Sequence, residues 1–315
     1  MKIGTGLLIL TAGAMLLLGG CGHGDASGRQ HEARLFGATY MTRNNPYFDV
    51  LNEGIEEVVE ANGDILLTRD PLQDQEKQNE QIQEMIDEGI QMLFLNPVDW
   101  EKVQPALDAW REAGVGIINV DTVVKDRDSV ISIIETDNYQ AGQLCALDMM
   151  KRKDEAKIVI LDNPIQTSIT NREQGFLDTI ADNHNYQVVY REAAAGEIEV
   201  SSHVMADLLR RDISFDVILG GNDPTALGAL AALQQARREE GVLIYGIDGS
   251  PDFKAILDVG YVTGTSAQSP RSIGRKAAET AYRYLDGEPV EKYISMPSTM
   301  ITRDNLHEFE IDGWQ

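Results

Sequence analysis

The sequence predicts an α/β protein of two domains, each built around a parallel sheet. Three observations carry this. From Arg34 onward, short apolar runs alternate with amphipathic segments of about 10–15 residues, the rhythm of strand, crossover helix and parallel strand. About eleven such runs occur, more than one open sheet holds comfortably. The 315 residues also correspond to roughly two domains at about 150 residues each.

The first twenty residues stand apart. Met1-Lys2 brings one positive charge, and Leu7 to Leu18 is apolar except for Thr11 and Gly13. That is the length of a secretion-signal core and too short to span a bilayer comfortably. The stretch ends in Leu18-Gly19-Gly20-Cys21, which resembles the bacterial lipoprotein processing box. Lipidation at Cys21 is therefore expected, with export and anchoring at the cell membrane, facing the periplasm or the outside. The blander alternative is an ordinary signal peptide with a chance cysteine. Gly22, Gly24, Ser27 and Gly28 make residues 21–33 a flexible tether.

In the first domain, strands are expected at Leu35–Tyr40, Ile65–Leu67, Gln91–Leu95, Val115–Val120 and Val130–Ile134. Helices are expected at 47–61, 73–88 and 100–113, the last closed by Gly114. In the second half of the chain, strands fall at Lys157–Leu161, Tyr186–Tyr190, Val217–Leu219, Leu243–Ile247 and Val262–Thr265. Helices fall near 139–152, 170–183, 200–211, 224–236, 252–259 and 270–286.

Ligands of open parallel sheets bind outside the carboxyl ends of the strands. The residues just after each apolar run are rich in Asp, Asn and Gln. They include Asn44-Asn45-Pro46-Tyr47-Phe48, Asn96-Pro97-Val98-Asp99, Asp121-Thr122 and Glu135-Thr136-Asp137-Asn138. In the second half come Gly221-Asn222-Asp223-Pro224, Asp248-Gly249 and Gln268-Ser269. Such carboxylates and amides suit a ligand with many hydroxyls, each both donor and acceptor. Tyr47 and Phe48 offer a flat apolar face for the C–H side of a sugar ring. Each residue alone also reads as a helix N-cap or a turn former.

Four segments sharpen the reading. Asn44-Asn45-Pro46-Tyr47-Phe48, Leu95-Asn96-Pro97-Val98-Asp99, Asn222-Asp223-Pro224-Thr225-Ala226-Leu227-Gly228-Ala229 and Gly246-Ile247-Asp248-Gly249-Ser250-Pro251-Asp252 follow in order. Together, from about residue 34 to 310, they resemble the sugar-binding proteins of bacterial ABC importers, the type I periplasmic binding proteins of ribose-binding kind. The resemblance implies two Rossmann-like lobes with parallel sheets joined by three hinge crossovers. It implies a first lobe of 34–136 plus 269–297 and a second of 137–268 plus 298–310. It implicates Asn45, Tyr47, Phe48, Asn96, Asp121, Thr122 and Thr136 in the first lobe's half of the site. In the second it implicates Arg172, Asn222, Asp248 and Gln268. Arg172 also reads as a surface helix arginine paired with Glu173 or Asp178.

Two departures bear on ligand choice. The ribose-binding type carries Asp then Arg where this chain has Asp121-Thr122, and an aromatic of its second lobe falls near Ala194-Ala195-Gly196. Ribose is thereby disfavoured among neutral sugars and cyclic polyols. The implied partners are such a ligand, an ABC permease and the membrane through the lipid anchor, with the protein a monomer. A sugar-sensing or quorum-signal receptor of the same fold is the alternative.

Composition excludes other classes. Lys and Arg total 27 against 51 Asp and Glu, a net charge of −24. Loss of Lys2 with the signal leaves −25, which argues against nucleic acid and against anionic ligands. Cys21 and Cys145 are the two cysteines, and Cys145 reads as a buried core thiol. No Gly-x-Gly-x-x-Gly follows a strand, and neither a nucleophile elbow nor His-Glu-x-x-His occurs, so no cofactor or metal is expected. Glycoside hydrolysis needs two carboxylates about 5–9.5 Å apart, one with a raised pKa. Asp121 and Asp248 are the candidates, but surrounding amides and Arg172 are expected to keep both ionised, which suits binding.

Overall fold

Asn45 opens the first long helix as its N-cap: its side chain accepts from the Tyr47 N–H, and Pro46 starts the first turn with an already suitable φ. The same device, an Asn or Ser before a Pro-containing first turn, starts the helices after Asn222 and Ser250. These caps sit where apolar strands end, so strand, cap and helix repeat along the chain. The computed structural model describes residues 32–211 and 213–315; the signal-like segment, Cys21 and most of the tether lie outside them.

The chain runs β1 (Leu35–Thr39), α1 (Pro46–Ala61), β2 (Ile65–Arg69), α2 (Gln75–Asp87) and β3 (Met92–Leu95). It continues through α3 (Gln104–Glu112), β4 (Gly116–Val120) and β5 (Ser132–Thr136). Next come α4 (Asn138–Arg152), β6 (Ala156–Asp162), α5 (Thr167–Ile180), β7 (Tyr186–Ala193) and α6 (Ile198–Leu209). Then follow β8 (Val217–Gly220), α7 (Asp223–Ala236), β9 (Leu243–Asp248), α8 (Pro251–Asp258) and β10 (Gly264–Ala267). The last elements are α9 (Pro270–Leu285), β11 (Tyr293–Met296) and β12 (Thr299–Thr302).

Two six-stranded sheets result. The first has the order β11-β5-β4-β3-β1-β2 and is parallel throughout. The second has the order β12-β10-β9-β8-β6-β7 and is parallel except that β12 runs antiparallel to β10. The chain crosses between sheets three times, after β5, after β10 and between β11 and β12. The crossings lie side by side: Asp137 N donates to the Met296 carbonyl at 2.7 Å, and the Ser266 and Ser298 hydroxyls bond at 3.1 Å. This is the two-lobe α/β architecture that the alternation predicts.

Helices cover both faces of each sheet. In the first lobe Phe36, Phe94 and Ile118 face Leu51 and Ile55 of α1 and Ala277 of α9; Leu93, Leu95 and Ile117 face Trp110 and Met85 on the other side. The second lobe repeats this with Val159, Ile218 and Ile244 on one face and Ile158, Leu219 and Tyr245 on the other. Each such side chain contributes about 1.5–3 kcal/mol on burial. Paired helices approach closely at glycine. A Cβ at Gly54 would overlap the Arg271 carbonyl, and one at Gly142 would overlap the Arg172 carbonyl. The second contact decides where Arg172 stands.

Some boundaries differ from the sequence reading. The helix expected from Trp100 begins at Gln104, because the Asp99 side chain accepts from Glu101 N and Lys102 N and holds a turn there. The strands expected at Val130–Ile134 and Val262–Thr265 are β5 and β10, each two residues later. Val130 and Val262, at the start of the apolar runs, are buried before the ladder begins. β11 and β12 were not expected: each is only four residues long, β11 has no buried residue and β12 is buried only at Ile301 and Thr302, and Pro297-Ser298 separates them. None of the described helices is long and apolar enough to cross a membrane.

Candidate functional site

The carboxyl ends of β1 and β4 face those of β6, β8, β9 and β10 across a cleft. An inner chamber of about 20 Å³ lies there, with Asn45, Tyr47, Phe48 and Asp121 on the first-lobe side. Arg172, Asn222, Asp248 and Gln268 line it from the second lobe and its crossing. It opens into a cavity of about 610 Å³ that shares Met41, Asn45, Phe48, Gln166 and Asn222 with it. The chamber alone has room for about one water, whereas the cavity is in the size range of small-molecule sites.

Asp121 ends β4 with φ 60, a left-handed conformation that a non-glycine residue adopts only when its surroundings enforce it. Its Oδ2 accepts from Asn96 Nδ2 at 3.0 Å and from the Thr122 hydroxyl at 3.1 Å. Asn96 is itself held by Met41 N, which donates to its Oδ1 at 3.0 Å. Tyr47 is buried, meets Phe48 edge-on at 5.3 Å between ring centres, and donates to Gln268 Oε1 at 3.3 Å. Burial pushes its phenol well above the ordinary value.

Asp248 ends β9 with φ 152, again outside ordinary L-residue backbone. Its Oδ1 accepts from Gln268 Nε2 at 2.7 Å, while its Oδ2 is buried without a hydrogen-bond partner. Arg172 is buried too. Its Nε donates to Asn138 Oδ1 and its Nη1 to the Gly221 carbonyl, both at 2.8 Å, and Nη1 lies 3.9 Å from Asp248 Oδ1. The surface-arginine reading is thus set aside. The guanidinium is held by the first crossing and by the end of β8.

Burial dominates the electrostatics. Both Asp121 and Asp248 are pushed above the usual carboxylate range by desolvation, which Arg172 offsets only in part. The negative charge of Asp223 behind Asp248 raises the latter further. The expectation that amides and Arg172 keep both ionised is therefore corrected for Asp248, whose carboxyl is pushed up to about 8. The physical reason is that two, and with Asp223 three, buried carboxyls share one guanidinium.

Three expected residues stand one layer back from the chamber. Asn96 and Thr122 hold Asp121, and the Thr136 hydroxyl donates to Gln268 Oε1 at 2.6 Å. Thr122 also bonds the Ser168 hydroxyl across the cleft at 3.0 Å. Asn222 lines the chamber, yet its oxygen caps α7 through Thr225 N and its nitrogen donates to the Gly196 carbonyl. Its capping role is real, as is that of Asn45. Gln166, Ser168 and Ile169 also line the chamber and were not anticipated. They follow β6 through Asp162-Asn163-Pro164, the same strand-end signal applied one strand further along. Trp314, on the cavity wall, carried no sequence signal.

The lobes touch beside the cleft. Thr167 Oγ1 accepts from Val123 N at 2.8 Å and donates to Val123 O at 3.1 Å. Gln73 donates to Glu197, and Trp100 N to the Ile165 carbonyl at 3.4 Å. Cys145 is fully buried, and desolvation pushes its thiol far up, which leaves it an inert core residue. Among the described residues, no cluster of three or more His, Cys, Asp or Glu is placed to hold a metal ion. The arrangement offers acceptors, donors and flat rings around an enclosed volume, the equipment for gripping a hydroxylated molecule.

The family model of the periplasmic binding protein domain matches residues 36–289. The chain is similar to the ribose import binding protein RbsB of Bacillus subtilis, 29% identical over 278 residues, 88% of this chain and 90% of that one. It is 31% identical to the ribose import binding protein RbsB of Escherichia coli, over 79% and 84% of the two chains. Among solved structures, the Caulobacter myo-inositol binding protein bound to myo-inositol superposes with a TM-score of 0.83 at 24% identity, covering 90% of this chain and 98% of that one.

Proposed function

This chain belongs to the periplasmic binding protein domain family, and from that premise we propose how it works as a sugar or polyol solute-binding protein of an ABC importer. A neutral sugar or cyclic polyol enters between the lobes, and its hydroxyls bond Asp121 from one side and Arg172 and Asp248 from the other. Ligand that touches both lobes favours the closed state by its differential affinity for that state. The proposed first lobe spans 34–136 plus 269–297, and the second 137–268 plus 298–310. The closed monomer then presents both lobe surfaces to a permease.

One observation carries the reading: Asp248 Oδ2, buried on the chamber wall with no partner. An unpaired buried acceptor costs about 1–3 kcal/mol, which a ligand hydroxyl would relieve. The residue set disfavours anions, since the one arginine faces two acidic side chains and is already engaged with Asn138 and the Gly221 carbonyl. The relatives are import binding proteins and no enzyme, so capture without turnover is the activity proposed. Relatives include a putative rhizopine-binding protein of Rhizobium meliloti and D-apiose import binding proteins, so the ligand class is wider than ribose. Thr122, engaged with Asp121 and Ser168, leaves ribose below hexoses and inositols.

A thermal-shift screen of neutral sugars, polyols and sugar acids tests this. Ligand at about 100 times Kd should stabilise by about 2.7 kcal/mol, a shift of several degrees. A response to anions alone would reject the proposal. We further propose that Cys21 is lipidated and anchors the protein outside the cytoplasm. Cys21→Ala should move it to the soluble fraction, and retention on membranes would reject the anchor.

A further inference from the structure

Residues 310–315 run from the second lobe to the cleft. Lys254 of α8 is fully buried, and its ammonium donates to the carbonyls of Glu310 and Gly313, each at 2.6 Å. Desolvation pushes its pKa below the ordinary lysine value, and the acidic groups of Asp223, Glu310 and Asp312 offset this in part. A buried ammonium is tolerated only with such partners, and here they fix the chain directly before Trp314. The indole then crosses to the first lobe. It meets Tyr47 edge-on, 6.0 Å between ring centres and 67° between planes, and packs against that lobe's core. The ring stays half-buried, and what remains open lines the 610 Å³ cavity beside Phe48 and Asn45, facing the Gly196 loop and Asn222. Trp110, by contrast, is 1% exposed and serves only packing.

We propose that Trp314 is a ligand-contacting, specificity-determining residue. Its indole supplies a flat apolar wall for the C–H face of a ring-shaped sugar or cyclic polyol, and Lys254 is the residue that positions it. This deepens the binding-site reading above and rests on it. Three features favour contact over mere packing: the ring lies at the mouth of the chamber, it joins Tyr47 and Phe48 in one aromatic wall, and it is delivered by the second lobe. Closure therefore completes the wall. A ring ligand gains a stacking face that a short acyclic polyol cannot use.

The test is calorimetry of the full chain, parent and variants, against pyranoses, inositols and glycerol. Trp314→Ala should weaken ring ligands by about five- to thirty-fold, whereas Trp314→Phe, which keeps a flat ring, should stay within roughly three-fold. Lys254→Met should weaken the same ligands, and adding it to Trp314→Ala should cause little further loss, because it acts through the indole. Parent affinity in Trp314→Ala overturns the proposal, as does a Trp314→Phe variant as weak as the alanine one. A double variant that loses affinity additively overturns the role of Lys254. A parent that binds no sugar or polyol fails earlier and rejects the binding-site reading itself. Should Trp314→Ala melt well below the parent, the phenylalanine variant and the Lys254 cycle decide the matter.

Discussion

Both lobes carry a six-stranded sheet of the same spatial order, and in both a glycine lets a helix pair close up, yet their carboxylates are treated differently. Asp121 of the first lobe has Asn96 and Thr122 on one oxygen. Asp248 of the second has Gln268 on one oxygen, nothing on the other, and the charge of Asp223 behind it. In the first lobe two donors already hold one oxygen of Asp121; in the second Asp248 keeps an oxygen without a partner, and the tail adds an indole to the candidate site. A ligand should accordingly gain most from the second lobe.

The largest expected effect strikes the frame that places Arg172. Gly142→Ala drives a Cβ into the Arg172 carbonyl, a backbone collision that should cost about 3 kcal/mol or more in stability. Calorimetric melting checks this, and Gly54→Ala is the matching change in the first lobe. If Gly142→Ala also leaves sugar affinity intact, Arg172 does not depend on that crossing.

Next come the carboxylates themselves. Asp248→Ala and Asp121→Ala should each remove the hydrogen bonds that the carboxyl makes to ligand hydroxyls, about 0.5–1.5 kcal/mol apiece and roughly ten- to a hundred-fold in Kd for a pair. Their empty proteins should part company: Asp248→Asn melts at or above the parent, since an amide need not take up a proton on burial, while Asp121→Ala melts below it, since Asn96 and Thr122 lose their acceptor. Equal melting shifts would erase the contrast between lobes.

A pH series sharpens it. Buried carboxyls with raised values hold their protons more tightly folded than unfolded. Their contribution to stability is complete below the ordinary carboxylate range near 4 and is lost as pH rises through the folded values. Glu135, beside the first crossing, adds to the same slope between 4.5 and about 7, because burial pushes it up. Melting temperature of the ligand-free protein should therefore fall from pH 4.5 to 8. Asp248→Asn should flatten the fall more than Asp121→Asn, and an unaltered slope would show that Asp248 ionises freely.

The smallest effect concerns the contacts beside the cleft. Thr167→Ala removes both bonds to the Val123 backbone, each worth about 0.5–1.5 kcal/mol. Affinity should drop by roughly two- to ten-fold, mainly through faster dissociation in stopped-flow. Slower release would mean that these bonds oppose closure.

Much of the candidate site was legible because it obeys a local rule. Tyr47, Asp121 and Asp248 lie at or just beyond strand ends and helix starts, where polar residues after apolar runs are conspicuous, whereas Arg172, in the second turn of α5, was pointed to only by the family resemblance. Ser168 and Gln166 obey the same rule and were reachable by it. Their ionisation was not legible, since desolvation depends on what the other lobe brings. Nor could composition tell that Asn96, Thr122 and Thr136 would stand behind the chamber while Asn222 divided its amide between a cap and the Gly196 carbonyl.

The sequence by itself determined the strand and helix alternation, the two parallel sheets and the polar strand ends, because apolar periodicity and capping are properties of neighbouring residues. Only the tertiary structure decided that β11 and β12 join opposite sheets, that Asp248 keeps an oxygen without a partner, and that Trp314 reaches Tyr47. Each of these depends on groups far apart in the chain, the last separated by most of its length, and on what is buried when the two lobes meet.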